Sequence, residues 1–99
     1  MMKLRINPLV VADLKEIRDF IAEDNPTKAV ETIERIISNF ENLQMFPEIG
    51  ADLSKRVNFQ TEYKYLVWKD YVIIYKLLNE YVEIYRVVNR FLDITQIFD

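Results

Sequence analysis

The side chains able to do chemistry in this sequence are few in kind. Histidine and cysteine are both absent from its 99 residues, which removes the usual proton shuttle near neutral pH, the commonest metal ligand, thiol nucleophiles and disulfide scaffolds. Carboxylates, amines, guanidiniums and phenols remain. No glycine-rich phosphate loop, serine–histidine–aspartate set or metal-ligand spacing occurs, so no metal or cofactor is expected. The most suggestive group is cationic: Lys55, Arg56, Lys64 and Lys69, then Arg86 and Arg90. Brought together, these would hold phosphate and stabilise a pentacoordinate phosphorus while lysine, glutamate or tyrosine moved protons, the chemistry of an RNA-cleaving site. Tyr63, Tyr65, Tyr71, Tyr75, Tyr81, Tyr85 and Trp68 interleave with the cations and could stack on exposed bases. Their repetition along strand faces favours cross-strand packing instead, and the plain reading of the cations is a solubilising surface. Carboxylate pairs such as Asp13 with Glu16 and Glu31 with Glu34 read as solvated helix surface.

The elements that must position these residues follow from periodicity. Met2, Leu4 and Ile6 alternate with Lys3 and Arg5, the period of a half-buried strand. Asn7-Pro8 and Asn25-Pro26 each place a capping side chain before a proline suited to the first helical position. The first opens a stripe of Val10, Leu14, Ile17 and Ile21; the second opens Ala29, Val30, Ile33, Ile36, Ile37, Phe40 and Leu43, ending at Phe46-Pro47. The short link predicts an antiparallel helix hairpin. Glu48 to Glu62 holds the single glycine and no sustained period, so a loop is expected, with a short strand near Arg56 to Phe59. Tyr63–Trp68, Tyr71–Leu78 and Tyr81–Val88 read as strands joined by two-residue turns. The middle one is apolar enough to be buried on both faces. Leu92, Ile94, Ile97 and Phe98 around Asp93 suggest a short helix closing one sheet face. The fold class is α+β, in the order β-α-α-β-β-β with a short C-terminal helix, and residues 1–99 are expected to form one domain.

Hydrophobic residues make up 51% of the chain and its net charge is −3. Disorder does not fit, and the acidic total does not announce a nucleic-acid binder. The deficit is regional, since residues 1–50 carry six basic and nine acidic side chains while residues 51–99 carry seven of each. A local basic face is therefore compatible with the acidic total. The alternating N-terminus fits neither a secretory signal nor a membrane span, so a cytoplasmic location is expected.

Several phrases, in order, resemble the RelE/ParE superfamily, the toxins of bacterial type II toxin–antitoxin modules. They run from Pro8 to Ile17, through Phe20-Ile21, Asn25-Pro26, Ala29, Leu43, Phe46-Pro47 and Ile49-Gly50, to Tyr63–Val67, Tyr71–Tyr75, Ile84–Asn89 and Asp93. The resemblance implies a helix hairpin on a twisted, mainly antiparallel sheet, and a cognate antitoxin that wraps the toxin in a hetero-oligomer. Departures bear on mechanism. Val72 stands where the family commonly has arginine, Asn89 where many members have histidine, and Leu92 and Phe98 where the ribonuclease branch has arginine and tyrosine. A phenylalanine neither gives nor takes a proton. The pattern is closer to the ParE branch, whose members poison DNA gyrase by binding. Two alternatives stay open: a RelE-like mRNA endonuclease acting on translated messages at the ribosome, and a degenerate toxin that only binds antitoxin. Lys64, Arg86 and Arg90 are the catalytic candidates for the endonuclease. The candidate contacts with RNA or another target are Lys55, Arg56, Lys64, Arg86, Asn89 and Arg90.

Overall fold

A computed structural model describes residues 1–92 and 94–98. Strand β1 (Lys3–Ile6) leads into helix α1 (Pro8–Ala22) and helix α2 (Pro26–Met45). Strands β2 (Ala51–Asp52), β3 (Lys64–Trp68), β4 (Tyr71–Leu77) and β5 (Tyr81–Asn89) follow, with 3₁₀ turns at Leu53–Lys55 and Ile94–Phe98. The five strands form one sheet in the order β1-β5-β4-β3-β2, in which β1 runs parallel to β5 and the other neighbours are antiparallel. The α+β order expected from periodicity is the order found. The putting of β1 beside the last strand is tertiary: the Gln44 side-chain amide donates to the Met2 carbonyl (2.9 Å) and the Gln44 backbone carbonyl accepts from the Met2 N–H (3.2 Å), clamping the start of β1 to α2.

Both helices begin as their caps require. The Asn7 side chain accepts from the Leu9 N–H at 2.9 Å and the Asn25 side chain from the Lys28 N–H at 3.0 Å, each ahead of a proline that needs no donor partner. The hairpin packs on one face of the sheet. Val10, Ile36, Phe40 and Leu43 meet Ile73, Tyr75, Val82, Ile84 and Val87 with no or almost no exposure; full burial of one such aliphatic side chain is worth about 1.5–3 kcal/mol. The opposite face carries a smaller cluster of Leu53, Val72, Ile74, Val88 and Ile94. Strand β4 lies between the two, and Val72, Ile73, Ile74 and Tyr75 are all fully buried, as its unbroken apolar run predicts.

Three expectations are corrected. The loop strand is not at Arg56–Phe59 but at Ala51–Asp52, because Leu53 is drawn into the smaller core and Ser54 closes the loop with two 3.0 Å hydrogen bonds, one to and one from the Thr61 backbone. Val30 and Ile37 are exposed although they extend the α2 stripe, while Thr32 is buried. They sit seven residues apart on one side of α2, and that side stays exposed. Finally, Asp13 is buried rather than solvated. The predicted C-terminal helix is a 3₁₀ turn over the second face, and Asp93 lies outside the described residues. Among the described residues no helix is long and apolar enough to cross a membrane.

Candidate functional site

The strongest electrostatic feature joins α1 to β5. The strand register steps from Ile74 opposite Arg86 to Tyr75 opposite Ile84, so Tyr85 is an extra residue without a Cα partner, a β-bulge. Strand β1 covers the outer edge of β5 only as far as Ile84. Beyond that point the Val87 N–H has no strand to bond. Asp13, one helical turn into α1, fills the gap: its carboxylate accepts from Val87 N at 3.0 Å and from Arg86 Nε and Nη2 at 2.8 and 2.9 Å. This bidentate fork is the strong geometry for a guanidinium, and the hydrogen bonds to Asp13 hold the Arg86 pKa above its ordinary value.

Lys64 is engaged in the same way at the far end of β3. Its ammonium lies 3.0 Å from Asp52 and 3.4 Å from Glu48. The hydrogen bond with Asp52, ahead of the charge attraction, lowers the Asp52 pKa and raises that of Lys64. Beside it the Tyr75 hydroxyl donates to the Pro47 carbonyl (2.9 Å) and accepts from the Gly50 N–H (3.0 Å), and burial pushes its pKa up. Glycine is required at position 50 because a Cβ would fall inside contact distance of both the Tyr75 hydroxyl and the Tyr65 carbonyl.

The remaining candidates lie apart. Lys55 and Arg56 are exposed on the loop, the Arg56 guanidinium 5.2 Å over the Tyr65 ring. Arg90 is at the other end of the sheet, where its backbone N–H bonds Asp70 and its guanidinium reaches the Lys69 carbonyl at 3.3 Å. The Asn89 side chain accepts from the Phe91 N–H at 2.8 Å and shapes the turn that leaves β5. Lys64 is five residues before Lys69 of the Lys69-Asp70 turn, about 16 Å at the strand rise, so the six candidates do not converge on one phosphate.

The tyrosines pack, as their periodicity suggests. Tyr63 and Tyr85 lie 4.8 Å apart on the face away from the helices, and Phe98 of the C-terminal turn covers both at 5.3 and 5.7 Å. Sequence reasoning missed the Asp13 latch. Its only local trace is the interruption of the surface charge pattern by the apolar neighbours Val10, Ala12 and Leu14, which does not name a partner 73 residues away.

This is an α+β protein whose best-placed cations hold its own elements together and whose remaining charges face outward. The chain belongs to the ParE toxin family of the type II toxin–antitoxin system parDE, whose family model matches residues 4–90. Among solved structures it is similar to the chromosomal ParDE toxin–antitoxin system from P. aeruginosa, with a TM-score of 0.74 and 22% identity, covering 90% of this chain and 96% of that one. At that identity the likeness speaks for the fold. No curated protein gives a significant match.

Proposed function

We propose that this toxin arrests growth by binding DNA gyrase, not by cutting RNA, and that a cognate antitoxin neutralises it by covering its surface. Family membership supports the toxin role. One observation favours binding over hydrolysis: two of the three catalytic candidates, Lys64 and Arg86, are each held by carboxylates at 2.8–3.4 Å. A phosphate would have to displace those carboxylates before either cation could stabilise its transition state. Lys55, Arg56, Asn89 and Arg90, exposed at two ends of the sheet, are the residues proposed to touch the target, with Lys64 and Arg86 acting as positioning residues.

Induced alone in a bacterium, the protein should halt growth, and co-expression of the reading frame beside it should restore growth. The purified toxin should inhibit gyrase supercoiling in vitro. New codon-linked ends in translated messages after induction, with supercoiling unaffected, would overturn the gyrase reading in favour of the endonuclease. Soluble, folded protein with no effect on growth would leave only the antitoxin-binding part.

A further inference from the structure

Three hollows run into one another around the Lys69-Asp70 turn. The first, about 310 Å³, lies between α2 and β3 and shares Lys28, Thr32, Trp68 and Lys69 with the second, of about 530 Å³. The second shares Phe20, Asp70 and Tyr71 with the third, about 440 Å³, between α1 and the end of β5. The trough starts at an open strand edge, since β2 pairs only with Lys64 and Tyr65 and leaves Leu66–Trp68 without an outer neighbour. Its middle joins the apolar Phe20, Ile21, Trp68 and Tyr71 to two acids, Asp24 and Asp70, and two bases, Lys28 and Lys69, whose charges cancel. Phe20 stands there 75% exposed, and Ile17, Tyr71 and Leu92 continue the floor toward β5.

The rim changes sign from one end to the other. Beside α2 it carries Lys28, Arg35 and Lys69 against Glu31. Beside α1 it carries Glu16 and Asp70, because Asp13 and Arg86 neutralise each other. Among the described residues none of Glu16, Lys28, Arg35 and Asp70 is in an ion pair. We propose that this trough seats a segment of a partner polypeptide that is acidic at one end, apolar in the middle and basic at the other. The open backbone edge and exposed aromatic suit a peptide, and the bipolar rim fixes which way it lies, since like charges at either end are repelled. The inference rests on the toxin–antitoxin reading for which partner supplies the segment, and on the trough alone for its chemistry.

Three synthetic peptides of equal length and identical apolar centre decide it: one acidic and basic at opposite ends, one acidic at both, one basic at both. Each is titrated into the isotope-labelled protein and followed by amide chemical shifts. The bipolar peptide should bind the native chain tightest, by roughly three- to tenfold, with shifts centred on Phe20 and Trp68. Glu16→Lys with Asp70→Lys should switch the preference to the doubly acidic peptide, and Lys28→Glu with Arg35→Glu to the doubly basic one. All four positions are exposed, so circular dichroism should show the fold retained. Equal affinities, no shifts around the trough, or a preference that ignores the charge swaps would overturn the proposal. So would a dimer of the free protein that the same swaps dissociate, which would assign the trough to a second copy. Gyrase and growth play no part in this readout, so its failure and that of the toxin reading are told apart.

Discussion

Asp13→Ala tests the latch between α1 and β5. The substitution removes two charge-assisted hydrogen bonds to Arg86 and strands the buried Val87 N–H. An unsatisfied buried donor costs about 1–3 kcal/mol, and a hydrogen bond to a charged group contributes about 1.5–3. The sum overstates the loss, because the Arg86 side chain is 23% exposed and can turn its guanidinium toward water. A loss of about 3 kcal/mol is expected, which at a urea slope of about 1.5 kcal/mol per M lowers the unfolding midpoint by about 2 M. Asp13→Asn keeps an acceptor for Val87 and should lose only about 1–2 kcal/mol. Arg86→Met should lose about 2 kcal/mol by leaving the carboxylate without its counter-charge. The double variant Asp13→Ala with Arg86→Met should be no worse than Asp13→Ala alone, a coupling of about 2 kcal/mol. Asp13→Ala within about 1 kcal/mol of the native chain, or additive losses in the double variant, would refute the claim that this pair bridges helix and sheet as one unit.

Other outcomes follow from the same geometry. Tyr75→Phe should lower stability by about 1–2 kcal/mol in urea unfolding, since Gly50 N–H and Pro47 C=O lose their shared partner. Gly50→Ala should cost more, about 2–4 kcal/mol, because the new methyl must displace the Tyr75 ring or the β3 backbone. Lys64→Met should leave the toxin folded and still growth-arresting in an induction assay; abolished arrest with the fold intact would favour a catalytic Lys64. Stability followed against pH should fall at both extremes. The Asp52 carboxyl is lowered from 3.8, so its contribution is present above that value and fades as pH drops through the lowered one. Lys64 is raised from 10.5 and burial raises Tyr63, Tyr71 and Tyr75 from 10.0, so their contributions are present below those values and fade as pH climbs through the raised ones. Lys64→Met should flatten the acid limb, and Tyr75→Phe should soften the alkaline one.

Much of the architecture is local and could be read without coordinates. The two Asn-Pro caps start the helices where they should, and the two-residue turns at Lys69-Asp70 and Asn79-Glu80 appear without glycine. The first is made possible by Lys69 taking a positive φ of 53°, and the second closes with mutual hydrogen bonds between Leu78 and Tyr81. The errors share a cause. Val30, Ile37 and Asp13 are placed by the pattern of their own helix, whereas burial depends on what packs against that helix. Composition alone places the strand of the loop after α2 too late, because Leu53 and the Ser54–Thr61 bonds set its path.

The candidate cations divide in the same way. Their clustering in the second half is a property of the chain's order, and so are Val72, Asn89 and Phe98; those three departures from the superfamily pattern point to the ParE branch, to which the family match assigns residues 4–90. That Lys64 and Arg86 are spent on Asp52, Glu48 and Asp13 depends on contacts spanning 12, 16 and 73 residues. Periodicity and capping act within a turn or two of the chain, so they can state which elements form and which side each presents. Which charge meets which is decided only when the bulge at Tyr85 and the end of β1 leave one N–H of β5 exposed to α1, because an ion pair needs two groups within hydrogen-bond reach and only packing brings distant ones there.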